Sequence, residues 1–276
     1  MTGQVILVLG ATGSTGRRVA ELLRAGGRPV RAASRSGRTR FDWSDPATWE
    51  AAVSGAKALY LMAPDGTPVD PAFVSLAVRG GVERIVLLSS GAIEAMGDER
   101  LQAAECTVRG SGAAWTILRP SWFDQNFDEG FFQPAIMAGE LLVPVGDVGQ
   151  GFVDAGDIAA VAAAALTSDG LEGRSYELTG PRSLPFGEAV EIIGRRIGRE
   201  VRYLGGDEDY IAANGFSDES IRAAKAFAAL RALGDQPVSE AVRRVTGRPP
   251  KSFETYVEEA AASGAWRSEN HRTRRS

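Results

Sequence analysis

Three glycines, Gly10, Gly13 and Gly16, are spaced three apart in the run GATGSTG, directly after the apolar stretch Val5 to Leu9. A residue without Cβ lets the chain turn sharply out of a strand. It also lets backbone N–H groups approach a pyrophosphate and lets the following helix pack closely on the strand. The helix N-terminus adds unpaired N–H donors and a partial positive charge. Thr12, Ser14 and Thr15 can add hydroxyls. This turn predicts a dinucleotide site. About 20 residues on, an acid would hold an unmodified ribose, but the sequence reads RAASRSGRTR, with Ser34, Arg35 and Arg38 and no acid. A guanidinium pairs bidentately with a phosphate, so NADP(H) is preferred over NAD(H).

These residues need a scaffold. Val5 to Leu9 reads as a strand buried on both faces, and Val19, Leu22 and Leu23 recur at helical spacing up to Gly26-Gly27. Further strands are expected at RPVRAASRS, TRFDW, KALYLMAP, RIVLLSS and AWTILRP. Helices are expected between them, including DPATWEAAVSG, which Asp45 would cap. The alternation predicts an α/β Rossmann-type, doubly wound parallel sheet with a smaller α+β C-terminal substrate lobe. The expected division is residues 1–130 for the NAD(P)-binding core and 131–267 for the lobe, part of whose chain returns to the sheet. A flexible tail is expected at 268–276. Ligands bind at the carboxyl ends of such strands. Met62, Ala63, Pro64, Ser89 and Pro120 are therefore expected at the ribose and nicotinamide, with Asp42 and Trp43 near the adenine.

The totals exclude some classes. A net charge of −4 argues against a nucleic-acid partner. One cysteine, Cys106, cannot form an internal disulfide and reads as buried packing in a cytoplasmic protein. One histidine, His271, leaves no metal cluster, and no metal is expected. No signal peptide or membrane span is legible, so neither nucleic acid nor membrane is an expected partner. The expected partner is a small-molecule substrate, bound by a monomer or homodimer.

The turn GATGSTG, the basic SRSGR and the run WTILRPSWFDQNF after the sixth strand resemble the atypical short-chain dehydrogenase/reductases of the NmrA-like branch. ASRS, FDWSDPATW, LYLMAP and LLSSGAIE are most similar to the ergot-alkaloid reductases of that branch (agroclavine and festuclavine dehydrogenases) and their bacterial relatives. The resemblance spans roughly residues 3 to 265. It implies a Rossmann fold, NADPH, hydride transfer to a small organic acceptor (in that subgroup an iminium ion) and a place in secondary metabolism.

The wider superfamily uses Tyr-x-x-x-Lys on the helix after the fifth strand, and here that helix reads MGDERLQAAECTVRGSG. With Glu105 aligned to the glutamate often found there, Gly97 and Leu101 occupy the tyrosine and lysine positions. A ketone needs a proton on oxygen as hydride arrives, and general acid help contributes about 10²–10⁴-fold. An iminium ion becomes a neutral amine without one. Iminium reduction is therefore preferred, with quinone or enone reduction the alternative, and a non-catalytic NADP(H)-sensing regulator the alternative from another class. Trp122, Phe123, Phe127 and Phe131, with Phe132, are candidates for an aromatic substrate wall suited to a cation. At least two of these aromatic residues are expected to be simple core. Asp124 is the candidate catalytic carboxylate, pairing with a cationic substrate or donating a proton if burial raises its pKa, and the alternative is an exposed aspartate capping the next helix. Tyr176, Tyr203, Tyr210 and Tyr256 are candidate stand-in acids.

Overall fold

The computed structural model describes residues 4–215 and 217–267; the expected tail and His271 lie outside the described residues. The first apolar run forms β1 (Val5–Leu9), all but its first residue buried. The glycine turn leads into α1 (Ser14–Ala25), which Gly26 and Gly27 end, Gly27 with a left-handed backbone. Then follow β2 (Val30–Ser34), β3 (Thr39–Arg40), α2 (Trp49–Val53), β4 (Ala56–Leu61), α3 (Pro71–Arg79), β5 (Arg84–Leu88), α4 (Ile93–Met96), α5 (Glu99–Arg109) and β6 (Ala114–Pro120). The second half supplies α6 (Gln133–Ala138), β7 (Glu140–Leu142), α7 (Ala155–Thr167), β8 (Arg174–Leu178), α8 (Phe186–Ile197) and β9 (Arg202–Leu204). It closes with α9 (Asp207–Asn214), α10 (Asp218–Ala232), α11 (Ala241–Thr246) and α12 (Phe253–Ser263).

Seven strands pair in parallel in the order β3-β2-β1-β4-β5-β6-β8. The order reverses between β1 and β4, so a crevice opens above their carboxyl ends, the usual place for a ligand. Both faces of the sheet are covered by buried apolar clusters, one under α1 and α7 and one under α2, α3 and α5.

Two local expectations are corrected. The third strand is only two residues long, because Phe41 turns inward against Phe73 and Trp43. Asp45 does not cap the next helix; its carboxylate pairs with Arg40 at 3.2 Å, and a 3-10 turn at Pro46–Thr48 precedes α2. The chain beyond residue 130 does return to the sheet: α7 packs on α1, and β8 pairs with β6. A third apolar core, the lobe core, holds Phe127, Phe132, Phe152, Phe186 and Phe253 packed ring against ring, so it draws in Phe127 from before the expected boundary at residue 130. Cys106, expected to be buried, is exposed on α5.

Candidate active site

The glycine turn is built as the spacing demands. Gly10 has φ +62, a left-handed backbone that L side chains rarely adopt, and a Cβ there would collide with the Met62 side chain. A Cβ on Gly16 would collide with the Gly10 carbonyl oxygen, and it would lie 2.9 Å from that of Leu9. Gly13 caps α1 without any side chain over the first-turn N–H groups. The cradle and the exposed helix donors fit a pyrophosphate.

Two recesses open from this turn. One, of about 520 Å³, lies at the ends of β1, β4, β5 and β6. Gly10, Gly13, Ser14, Thr15, Met62, Ala63, Pro64, Ser89 and Pro120 line it together with Trp122, Phe123 and Phe131. The other, of about 500 Å³, runs along β2 from Pro29 and Val30 to the turn after it, where Thr12, Ser34, Gly37 and Arg38 line it. Ser34 Oγ is buried there with no hydrogen-bond partner, an orphan that an anion's oxygen would satisfy. Arg31 lines the same recess, but its guanidinium donates to the carbonyls of Ala52 and Ser54, and Arg40 pairs with Asp45. Arg24, at the end of α1, and Arg38, on the turn after Ser34, are the other guanidinium groups that line it. Arg35 lines neither recess.

Several predicted residues do other work. Asp42 and Trp43 line neither recess. The Asp42 carboxylate accepts from the Ser44 N–H (3.0 Å) and Oγ (2.7 Å), which hold its carboxyl below the usual range, while the Trp43 indole donates to the Met62 carbonyl (3.2 Å). Thr15 accepts from the buried Tyr60 hydroxyl at 2.9 Å. Ser14 donates to Glu129 at 2.7 Å instead of presenting its proton to a phosphate. Phe127 is fully buried in the lobe core, as is nearly all of Phe132, so these two are the packing members of the aromatic run. Phe131 is 63% exposed and stands at the cavity mouth.

Asp124 is corrected most sharply. It is 1% exposed and lies outside the cavity lining, and neither carboxylate oxygen has a hydrogen-bond partner. Its backbone N–H donates to the Val153 carbonyl at 3.0 Å, which fixes this turn beneath the start of α7. Burial, then the nearby Asp154 and Asp157, push its carboxyl well above the ordinary aspartate range. An acid whose pKa is raised on folding contributes stability below its unfolded value, and this is lost as pH rises towards the folded one. Asp124→Asn is therefore expected to raise the thermal midpoint above neutral pH by on the order of 3 °C. The gain should shrink as pH falls towards about 4. Scanning calorimetry of both proteins across that range checks it; an equal shift at every pH would refute the assignment to ionisation.

The candidate acids of the lobe are also placed elsewhere. Tyr203 donates to the carbonyls of Val143 (2.8 Å) and Gly146 (2.9 Å), and Tyr256 to Asp128 (2.8 Å). Tyr176 is buried on β8, and Tyr210 packs on Phe227. Among the described residues lining the cavity there is no tyrosine, lysine or histidine. Its charged members are Asp65 and Arg100, the latter donating to the Thr67 carbonyl (3.3 Å) and Asp98 (3.2 Å).

The profile of the NAD(P)H-binding family matches residues 10–169, which cover the glycine turn, most of the lining of both recesses and α7. The chain belongs to that family. It is an NAD(P)-dependent oxidoreductase. It is 32% identical to an NAD(P)H azoreductase of Xenophilus azovorans, over 95% of this chain and all of that one. It is 30% identical to agroclavine dehydrogenase of Claviceps fusiformis, over 91% and 96%. The NADPH complex of a quinone oxidoreductase from Escherichia coli has the same fold. The TM-score is 0.70 at 21% identity, over 93% of this chain and 99% of that one. No described helix is long and apolar enough to cross a membrane.

Sequence reasoning missed the polar groups that brace this family site. Glu129 accepts from Ser14, Arg17 and Arg18 and so ties the aromatic loop to the first turn of α1. Burial opposes its ionisation, but those donors outweigh it and hold its carboxyl below the ordinary range. The only sequence signal was the Arg17-Arg18 pair at the helix start. Ser121, Gln150 and Gln236 were missed as well: Ser121 donates to Gln236 Oε1 (2.6 Å) and the Trp122 indole to Gln150 Oε1 (3.1 Å). These bonds join residues far apart in sequence.

Proposed function

We propose that this protein is an NADPH-dependent reductase that passes hydride to a small acceptor already activated for it, with an iminium ion first and a quinone or enone second. The observation that carries the reading is the cavity beside the glycine turn. It is walled by Trp122, Phe123 and Phe131 and has no tyrosine, lysine or histidine among its described lining residues. Ser34 and Arg38 at the other recess support NADPH over NADH.

A bound nicotinamide supplies the hydride. Gly10, Gly13 and Gly16 hold the pyrophosphate against the start of α1. Met62, Pro64 and Pro120 are apolar neighbours of the nicotinamide end and exclude water there. Trp122, stacked 6.4 Å from Phe227 and anchored through its indole to Gln150, offers a fixed aromatic face to a cation. Such a face stabilises an iminium ion, whose nitrogen takes the electron pair of the C=N bond as its carbon receives hydride. No proton moves in that step, so positioning does the work an acid does elsewhere.

Loss of NADPH absorbance should be followed with a cyclic iminium, a benzoquinone, an enone and a simple ketone. The expected order places the iminium first and the ketone at least about 100-fold lower in kcat/KM, the scale of missing acid help. Comparable ketone turnover would overturn the reading. Tight NADPH binding with no turnover of any acceptor would favour the sensing regulator.

A further inference from the structure

Ser89, at the carboxyl end of β5, lines the cavity and is almost fully buried. Its hydroxyl donates to Glu105 Oε1 at 2.7 Å. Glu105, on α5, is 1% exposed, and three further donors fill it. Arg119 on β6 forks onto it, Nε to Oε1 at 2.8 Å and Nη2 to Oε2 at 2.7 Å, and Arg109 Nη2 reaches Oε2 at 2.7 Å. Arg119 is held in turn by Glu94 at 2.7 Å. Burial alone would favour the neutral acid, but the two guanidinium groups and the serine outweigh it and keep the carboxyl below the ordinary glutamate range.

An ionised carboxylate only accepts hydrogen bonds. The Ser89 proton is therefore committed to Glu105, and what Ser89 turns to the cavity is a lone pair. We propose that Glu105, clamped by Arg119 and Arg109, is a positioning residue that fixes Ser89 as a hydrogen-bond acceptor, so that the site selects ligands carrying an N–H donor and disfavours those that present or develop an oxygen lone pair there. A protonated cyclic imine or its amine product donates to Ser89. A ketone oxygen, and still more an alkoxide, meets an acceptor where it needs a donor. The inference rests on the reading of this cavity as the acceptor site and deepens it. It accounts for discrimination against ketones by a wrongly directed serine, in addition to the missing tyrosine.

Glu105→Gln reverses the polarity for a geometric reason. The new amide must face either Arg109 together with Arg119 Nη2, losing two arginine bonds, or Ser89 together with Arg119 Nε, losing one. The second costs less, and it makes the amide donate to Ser89, whose proton then turns into the cavity.

The test is binding to the full-length protein loaded with NADP⁺, measured by calorimetry with pyrrolidinium, N,N-dimethylpyrrolidinium and cyclopentanone. In Glu105→Gln the preference for pyrrolidinium over cyclopentanone should fall by at least about tenfold, the scale of one charge-assisted hydrogen bond. Ser89→Ala leaves the Glu105 clamp in place and covers the case in which the first variant does not fold. It should weaken pyrrolidinium by about tenfold and leave N,N-dimethylpyrrolidinium, which has no N–H, within about twofold. Preferences among ligands in one preparation do not depend on the fraction folded, so a merely structural role would leave them unchanged. Unchanged preferences in the folded variants would overturn the proposal. Binding reads the polarity of Ser89 even if no acceptor turns over, whereas turnover of the acceptor panel reads the reductase assignment, so the two can fail separately.

Discussion

Gly16→Ala is expected to weaken NADPH binding by about 100-fold and to lower stability by about 1–3 kcal/mol. Alanine in place of a helical glycine ordinarily stabilises by up to about 1 kcal/mol, so a loss has the opposite sign from the intrinsic preference. The cause is local and rigid. The added methyl meets the backbone of Gly10 and Leu9, which cannot rotate out of the way as a side chain could. α1 must move off the turn, and its first-turn N–H groups move with it, away from the pyrophosphate they would hold. A displacement of this kind at a positioned group costs on the order of 100-fold. Fluorescence titration with NADPH and a thermal scan on the same preparation test both halves. Wild-type affinity with wild-type stability would show that the turn has slack the packing does not suggest.

Arg38→Ala is expected to raise KM for NADPH by about 10- to 100-fold, the range of a lost hydrogen bond to a charged group. KM for NADH should stay within about twofold. The recess that Arg38 shares with the unpartnered Ser34 flanks β2 and has no lining residue in common with the cavity that the aromatic wall bounds. A change there should touch only the ligand that carries the extra phosphate, and kcat with saturating NADPH should hold. Equal losses with both cofactors would mean that Arg38 supports the loop as a whole. An unchanged ratio would move the 2′-phosphate to Arg35 or remove it from this end of the site.

The glycine turn, the succession of strands along the chain up to β6 (the length of the third apart) and the basic second-strand end were legible because each rests on local rules. A short apolar run, three spaced glycines and a loop with arginines but no acid constrain the chain within a few residues of themselves. Asp124 was misread for the converse reason. A carboxylate inside an aromatic run looks like an acid aimed at the substrate. Which way it faces depends on where Val153 and the start of α7 pass, about 30 residues later, and they fold it away from the cavity. Phe127 and Phe131, four residues apart in one run, likewise divide between the lobe core and the cavity mouth.

The sequence by itself determined the fold class, the glycine turn and the lack of a tyrosine–lysine pair, since these follow from residue types and short spacings. Tertiary structure alone decided how the remaining polar groups are wired. Ser89 to Glu105, Ser14 to Glu129 and Ser121 to Gln236 are bonds between residues 16, 115 and 115 positions apart. A hydroxyl can donate or accept, and only the neighbour that packing brings to it settles which.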